Sequence, residues 1–313
     1  MVIVGGLTRL TDSGLSITEW QLFSGIIPPL SEKDWITYFD LYKKIPEYEL
    51  QNYLMTIEEF KVIFWWEYIH RILGRLIGIF FLIPLIFLTV KLKFKNIKNL
   101  YLIFILICIQ GFIGWYMVSS GLIDRVDVSH FRLSLHLVLA FIILSLIFWN
   151  YLLLKKINIS FDKIHKNIPI IFLLLIFIQI SIGAFVSGLD AGRVYNSWPL
   201  MGDNFFPNDS TVNNLFTLTA FSDASLVQFM HRNLAYIIFL FYIFIFLKIF
   251  LNKLSGLFNT VILIGLLLIF QIVLGIFTLL SGAQIIISSM HQVSSILLVT
   301  SSIYFLYLNN KSS

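Results

Sequence analysis

The feature that most constrains this chain is a series of seven apolar runs, each about as long as a bilayer core is thick. They cover residues 62–90, 99–120, 130–154, 168–189, 227–251, 257–281 and 286–308. A helix needs about 20 mainly apolar residues to cross the hydrocarbon core, and lipid leaves no other partner for the backbone polar groups of such a run. With 58% hydrophobic and 12% charged residues, the sequence predicts an all-α polytopic membrane protein and excludes an ordinary soluble domain.

An eighth span is incomplete at the amino terminus. Residues 1–7 are apolar and run directly into Thr8 and Arg9, which is the pattern of the outer end of a spanning helix. We therefore predict an eight-helix plan in which the first helix is mostly missing because the amino terminus is truncated.

The lysines sort by membrane side. They cluster after the second, fourth and sixth spans of this plan, at Lys91, Lys93, Lys95, Lys98, Lys155, Lys163, Lys166, Lys248 and Lys253. By the positive-inside rule these loops and the carboxy terminus are cytoplasmic, and the acidic loops face outward. The sequence thus predicts a multi-pass protein of a bacterial inner membrane. The net charge of +5 then needs no nucleic-acid partner.

Four of the six histidines, His70, His136, His231 and His291, lie a few residues inside the outer ends of the even-numbered spans. At 1.5 Å per residue they sit at one depth, roughly 8–12 Å from the outer surface. Histidine is costly in hydrocarbon and rare in spanning helices, but its neutral imidazole is a common axial ligand of haem iron.

An internal repeat connects these histidines. An offset of 161 residues places His70 on His231 together with their neighbours, and a further match relates His136 to His291. We predict two pseudo-symmetric four-helix bundles, residues 1–155 and 166–313, related as parallel repeats. In each bundle the second and fourth helices are diagonal neighbours, so two imidazoles can bind one iron.

The alternative is that each histidine only hydrogen-bonds a neighbouring helix. Four histidines at equal depth in duplicated positions favour metal ligation instead. His130, at an outer helix end, and His165, in an inner loop, have no counterpart in the repeat, and we predict that both are solvated or interfacial.

The two halves differ one helical turn outward from the first histidine. Glu67 precedes His70 by three residues, whereas Gln228 occupies the matching place before His231. Residues three apart share a helix face, and a carboxyl group can transfer protons where an amide cannot. This asymmetry nominates the amino-terminal half as the reactive one. A structural ion pair of Glu67 with Arg71 or Arg9 is the alternative.

An arginine directly follows each of these two histidines. Arg71 and Arg232 lie near the outer surface, where a guanidinium group can bind a haem propionate. Snorkelling of the side chain to lipid headgroups explains the same position almost equally well.

Several motifs resemble one enzyme family over the whole chain. They include residues 5–16 (GGLTRLTDSGLS), 46–48 (PEY), 67–71 (EYIHR), 196–202 (NSWPLMG) and 229–232 (FMHR). These residues resemble haem A synthase, in the branch shared by alphaproteobacteria and mitochondria. The cysteine pair of another branch is absent from the outer loops, since Cys108 is the single cysteine.

The resemblance implies oxidation of a methyl group of haem O to the formyl group of haem A, which cytochrome c oxidase uses. It implies that His70 and His136 hold the substrate haem, with Glu67 as the acid/base or stabilising group. His231 and His291 would ligate a resident haem b that relays electrons. Haem O synthase and oxidase assembly factors are the implied partners, and a homo-oligomer is left open.

Two other functions fit part of the pattern. A membrane cytochrome that passes electrons between quinol and an outer partner would have the same histidines, but it does not need Glu67. A proton or ion transporter could use intramembrane histidine and glutamate without haem, but equal outer depth gives no path across the membrane.

Overall fold

The computed structural model describes residues 1–20, 24–123, 125–155 and 162–311. In chain order its α-helices are α1 (Val2–Leu10), α2 (Glu32–Tyr42), α3 (Pro46–Leu50), α4 (Ile57–Lys91), α5 (Phe94–Gly121), α6 (His130–Leu154), α7 (Asn167–Gly188), α8 (Ala224–Leu251), α9 (Ser255–Leu280) and α10 (Ile285–Lys311). Seven of them, α4 to α10, are long and apolar enough to cross a membrane. The predicted all-α polytopic membrane fold and its seven complete spans are confirmed.

Local sequence signals fix where the first long helix begins. Thr56 caps α4, its hydroxyl accepting from the Glu59 N–H at 3.3 Å while the Glu59 carboxylate accepts from the Thr56 N–H at 2.8 Å. This capping box satisfies two backbone donors that a helix start leaves unpaired. The helix therefore begins five residues earlier than the apolar run predicted, because polar capping residues are invisible to a hydropathy pattern.

The repeat is visible in the backbone as well as in the sequence. The short helix α1 ends before Asp12, and α7 ends before Asp190, and both aspartates have a φ of 48°. Left-handed backbone is uncommon for a residue other than glycine. Two such residues after corresponding helices indicate that the two chain segments turn in the same way.

The chain divides into two compact units, residues 1–139 and 140–313. The division falls inside α6, and the predicted domain limits of 155 and 166 stay a prediction. In the amino-terminal unit, α4 packs against α1, α2 and α5. The segment between α1 and α4, which we call the first outer loop after its predicted side of the membrane, folds over the start of α4. Its residues form a buried cluster with residues of α4 and with Val128, and the members are Leu15, Ile17, Phe39, Tyr42, Ile45, Phe60, Ile63, Phe64 and Val128.

The carboxy-terminal unit is a ring of four helices. In it α7 packs against α8, α8 against α9, α9 against α10, and α10 against α7. The helices α8 and α10, which carry His231 and His291, therefore lie diagonally across the ring, as their order in the sequence predicted.

Candidate functional site

The amino-terminal unit brings His70 of α4 and His136 of α6 together. Their ring centres are 6.5 Å apart and the ring planes are inclined by 54°. Two metal–nitrogen bonds of about 2 Å, plus about 1.1 Å from each nitrogen to its ring centre, give about 6.2 Å for two imidazoles on one metal. The two rings thus have the separation that a shared iron requires.

The carboxy-terminal unit pairs His231 of α8 with His291 of α10. The two side chains lie close enough to interact electrostatically. Each is half-buried, as are His70 and His136. The structure therefore brings His70 and His136 to the separation of two ligands of one metal, and it places His231 within electrostatic range of His291.

A glycine on a neighbouring helix meets each histidine ring. A Cβ placed on Gly5 would lie 2.8 Å from Cε1 of His70, and the corresponding distance from Gly114 to His136 is 3.0 Å. In the other unit the pairs are Gly183 with His231 and Gly275 with His291, each at 3.1 Å. These distances leave no room for a side chain, so each ring rests directly on the backbone of its neighbour.

The Nδ1 atom of each of the four rings is buried and has no hydrogen-bond partner among the described residues. Buried polar side-chain atoms are usually paired, so hydrogen bonds alone do not account for these four rings, although Nε2 of His231 also lies 3.3 Å from Nε2 of Gln179. An iron porphyrin between each pair fits this donor set, because neutral imidazole is an ordinary axial ligand of haem.

Glu67 is 3% exposed and is held by the first outer loop and its own helix. Its Oε2 accepts from the Ser16 hydroxyl at 2.7 Å and from the Ile17 N–H at 2.8 Å. Its Oε1 accepts from Nε and Nη2 of Arg71 at 3.0 and 2.5 Å. The ion pair with Arg71, considered from the sequence as the alternative, is present, while Arg9 pairs with Asp12.

Gln228 occupies the matching place and also bonds to an outer loop. Its Nε2 donates to the backbone carbonyls of Ala191 and Tyr195 at 2.9 and 3.1 Å. Its Oε1 accepts from Nη2 of Arg232 at 3.2 Å. Each of the two residues therefore joins its histidine helix to the loop that precedes it.

Both arginines that follow the histidines are engaged within the protein. Arg71 also donates to the Ile17 carbonyl at 2.9 Å, and its guanidinium group lies 5.3 Å from the ring centre of Trp20. Arg232 donates to the carbonyls of Tyr195, Ser197 and Leu200. Their predicted contact with haem propionates stays a prediction, and the observed partners give them a second role in fixing the outer loops.

The two remaining histidines differ from each other. His165 is exposed, which confirms its predicted solvation. His130 is 6% exposed, so it is not solvated, and the other part of the prediction, an interfacial position, stays a prediction. Its ring lies 4.2 Å from that of Phe131, and the folding of the outer loop buries a helix start that the sequence alone places at the membrane surface.

Sequence reasoning missed two sets of residues. The glutamines Gln110 and Gln179 each donate to the backbone carbonyl of a site histidine, His136 and His231, at 3.0 Å. Glu47 is a buried carboxyl group under the outer loop, 3% exposed. The glutamines had a signal, a polar side chain in a spanning helix four residues before a glycine. For Glu47 the sequence held no such indication beyond its place in the motif of residues 46–48.

Known proteins resemble this chain over its whole length. Residues 1–303 match the COX15-CtaA family model, described as cytochrome oxidase assembly protein. The haem A synthase of Pelagibacter ubique is 53% identical over 99% of this chain and 92% of its own length. Those of Rickettsia bellii strain OSU 85-389 and Maricaulis maris are 43% and 42% identical, over 96% and 95% of this chain and 91% and 88% of their own. The chain belongs to the COX15-CtaA family of cytochrome oxidase assembly proteins.

Proposed function

We propose that this chain is a haem A synthase, an enzyme that oxidises a methyl group of haem O to the formyl group of haem A. The observation that carries the proposal is the pair His70 and His136, whose ring centres are 6.5 Å apart, in a chain 53% identical to a haem A synthase. The pair has the separation that two ligands of one haem need, and the identity to haem A synthases supports the proposed reaction.

The amino-terminal unit is the proposed reaction site. His70 and His136 hold haem O, while His231 and His291 hold a resident haem b. The assignment rests on an ionisable difference one helical turn from the first histidine of each site, Glu67 in place of Gln228. A carboxylate can accept a proton from a reacting centre and an amide cannot.

His70 and His136 would hold haem O as the substrate, and His231 and His291 would hold haem b, which would supply an electron relay. The protein residues position the haems and protect them. Glu67 lies three residues before His70 on one helix face, and its hydrogen bonds to Ser16, Ile17 and Arg71 fix the carboxylate at the outer side of the site. Its proposed role is to hold or accept a proton during the oxidation.

The membrane is part of the proposed function. Haem O carries a long apolar tail that partitions into the bilayer, so the substrate can enter sideways between helices. We place the protein in the bacterial inner membrane with its carboxy terminus in the cytoplasm and its haem sites near the outer face. Haem O synthase and oxidase assembly factors are its proposed partners.

The first test is spectroscopic. Purified protein is expected to show the reduced-minus-oxidised spectrum of a b-type haem, and His231→Ala or His291→Ala is expected to abolish the part of this spectrum that the haem of the carboxy-terminal unit contributes. The matched control is His165→Ala, an exposed histidine in an inner loop. A wild-type protein that folds but binds no haem contradicts the proposal.

The second test separates an enzyme from a simple electron carrier. Glu67→Gln is expected to keep both haem sites and to lose conversion of haem O to haem A, measured by pigment extraction from membranes supplied with haem O. The haem spectrum of the same sample controls for folding. If the variant converts haem O at the wild-type rate, Glu67 has no part in the reaction. If the wild type binds two haems and converts none, the chain is an electron-transfer cytochrome.

A further inference from the structure

Part of the first outer loop lies along the side of α4 rather than above its first residue. The Tyr68 hydroxyl donates to the Ile26 carbonyl at 2.5 Å. The loop and α4 also line a small cavity together, and its lining includes Ile27, Tyr68 and Arg75. We call residues 25–30, which include two consecutive prolines, the Pro-Pro segment.

The level of these contacts along α4 relates the Pro-Pro segment to the membrane. About 20 residues of a helix cross the hydrocarbon core, so counting back from Lys91, the last residue of α4, puts the other boundary of the core close to Arg71. Tyr68 lies about one helical turn outside this boundary, and Arg75 lies about one turn inside it. The Pro-Pro segment lines one cavity with residues on both sides of the boundary, so it lies at the level where the headgroups meet the hydrocarbon core.

The composition of the Pro-Pro segment suits lipid at this level. The segment contains no charged residue, and the side chains of Ile26, Ile27 and Leu30 are exposed. Lipid cannot pair a backbone N–H group, and Pro28 and Pro29 have none. The hydrogen bond from α4 pairs the Ile26 carbonyl. A segment without helical structure can therefore lie against acyl chains here with few unpaired backbone groups.

Exposed tryptophans mark the same level. The Trp65 ring of α4 lies 5.3 Å from the Tyr68 ring. Trp20, five residues before the Pro-Pro segment, lies 5.3 Å from the Arg71 guanidinium group. Both tryptophans are exposed, and tryptophan is enriched where a membrane meets water. The exposed surface of the Pro-Pro segment therefore continues the lipid-facing surface of α4.

We infer that the Pro-Pro segment inserts into the membrane leaflet on its side of the protein, with Ile26, Ile27 and Leu30 among the upper parts of the acyl chains. The partner of this surface is the hydrocarbon of the lipid, which apolar side chains of an interfacial segment contact. The first outer loop is thus anchored in the bilayer beside α4, and the same loop holds the Glu67 carboxylate through the Ser16 hydroxyl. The inference needs only that α4 spans the membrane, and it does not depend on the proposed reaction.

The test compares two leucines of the first outer loop that are equally exposed in the protein. Leu30 is 80% exposed and Leu54 is 79% exposed. Leu54 precedes α4, whose first residue, Ile57, lies about 20 Å outward of Arg71 along the helix. We therefore expect water around Leu54 and lipid around Leu30. Leu30→Cys and Leu54→Cys are each made in the full chain with Cys108→Ala, and the protein is placed in phosphatidylcholine nanodiscs.

The first measurement is the rate at which each cysteine reacts with a charged maleimide that does not enter lipid. Leu30→Cys is expected to react about tenfold more slowly than Leu54→Cys, because the thiolate is the reactive form and apolar surroundings suppress it. After unfolding in sodium dodecyl sulfate the two cysteines are expected to react at the same rate, which controls for the labelling chemistry.

The second measurement distinguishes lipid from protein as the group that covers the segment. A bimane fluorophore is attached to each cysteine, and the nanodiscs are made with brominated acyl chains, which quench a fluorophore that they contact. Quenching is expected in Leu30→Cys and not in Leu54→Cys. Ile27→Cys, at another exposed position of the segment, is expected to behave like Leu30→Cys and replaces it if that variant does not fold.

Two results overturn the inference. Equal maleimide rates in the folded protein would place the Pro-Pro segment in water. Slow labelling without quenching by brominated lipid would mean that protein, such as a second copy of the chain, covers the segment instead of acyl chains. A single symmetric peak in size-exclusion chromatography is the criterion that each variant has folded.

Discussion

Glu47 makes the stability of the amino-terminal unit depend on pH. Its carboxyl group is 3% exposed, and Oε2 has no hydrogen-bond partner among the described residues. Burial, and then the nearby carboxylates of Glu67, Asp127 and Asp12, raise the pKa of Glu47 from 4.5 to about 8, against a lowering hydrogen bond from Tyr42. The cationic groups nearby are committed elsewhere, since Arg71 pairs with Glu67 and Arg9 with both aspartates.

The raised pKa of Glu47 determines whether stability rises or falls with pH. Because the pKa is higher in the folded protein than in the unfolded chain, unfolding releases a proton between pH 4.5 and about 8. The contribution of Glu47 to stability is therefore complete below pH 4.5 and is lost as the pH rises to about 8. At about 1.4 kcal/mol per pH unit, the loss amounts to roughly 5 kcal/mol at most.

The assay is thermal unfolding in detergent, followed by circular dichroism, from pH 5 to pH 9. Wild-type protein is expected to lose stability steadily up to pH 8 and then to level off. Glu47→Gln, which keeps the shape of the side chain without its charge, is expected to flatten this slope and to exceed the wild type at pH 8. Glu49→Gln, an exposed glutamate on the same helix, is the matched control. If the stability of Glu47→Gln falls with pH as steeply as that of the wild type, the reasoning is wrong.

Two further predictions concern the helix contacts of the haem sites. Gly114→Ala is expected to displace the His136 ring, because the new methyl group would lie 3.0 Å from Cε1, and to broaden or abolish the spectrum of the amino-terminal haem, while Gly111→Ala leaves it unchanged. Gln228→Glu is expected to lower the unfolding free energy by about 1–3 kcal/mol, measured by denaturation in detergent, because a carboxylate would face two backbone carbonyls. An unchanged spectrum in the first variant, or unchanged stability in the second, contradicts the corresponding contact.

The fold could be predicted from the sequence because lipid imposes strict rules on a spanning segment. Length and lack of charge alone marked seven spans, and all seven helices are present. The two short helices α2 and α3 of the first outer loop were not predicted. Their residues are neither uniformly apolar nor regularly periodic, and they fold by packing Phe39 and Tyr42 against Phe60 and Phe64 of α4.

The histidine pairs could be predicted because the duplication repeats the same residue at the same depth. The contact of each glycine with a histidine ring could not be predicted from the sequence, although Gln110 and Gly114 match Gln271 and Gly275 in the repeat. A glycine in a spanning helix more often serves close helix packing. Only coordinates show that the space beside these glycines is filled by an imidazole ring.

The asymmetry between Glu67 and Gln228 has a structural cause as well as a chemical one. Glu67 Oε2 meets two donors of its outer loop, the Ser16 hydroxyl and the Ile17 N–H. Gln228 Nε2 instead meets two acceptors, the carbonyls of its own loop. A carboxylate can only accept and an amide nitrogen can only donate, so each residue matches the backbone it faces and neither can replace the other at no cost.

The same match affects a substitution at the proposed reaction site. An amide at position 67 has only one acceptor oxygen, so its N–H groups would face either the Ile17 donor or the Arg71 guanidinium group. A loss of activity in Glu67→Gln therefore has two causes, a lost proton acceptor and a disturbed contact with the loop or with Arg71. Ser16→Ala separates them, because it weakens the hold of the loop on the carboxylate and leaves the carboxylate in place. If Ser16→Ala keeps activity where Glu67→Gln loses it, the proton chemistry of Glu67 is the cause, since both changes disturb the same contact but only one removes the acid.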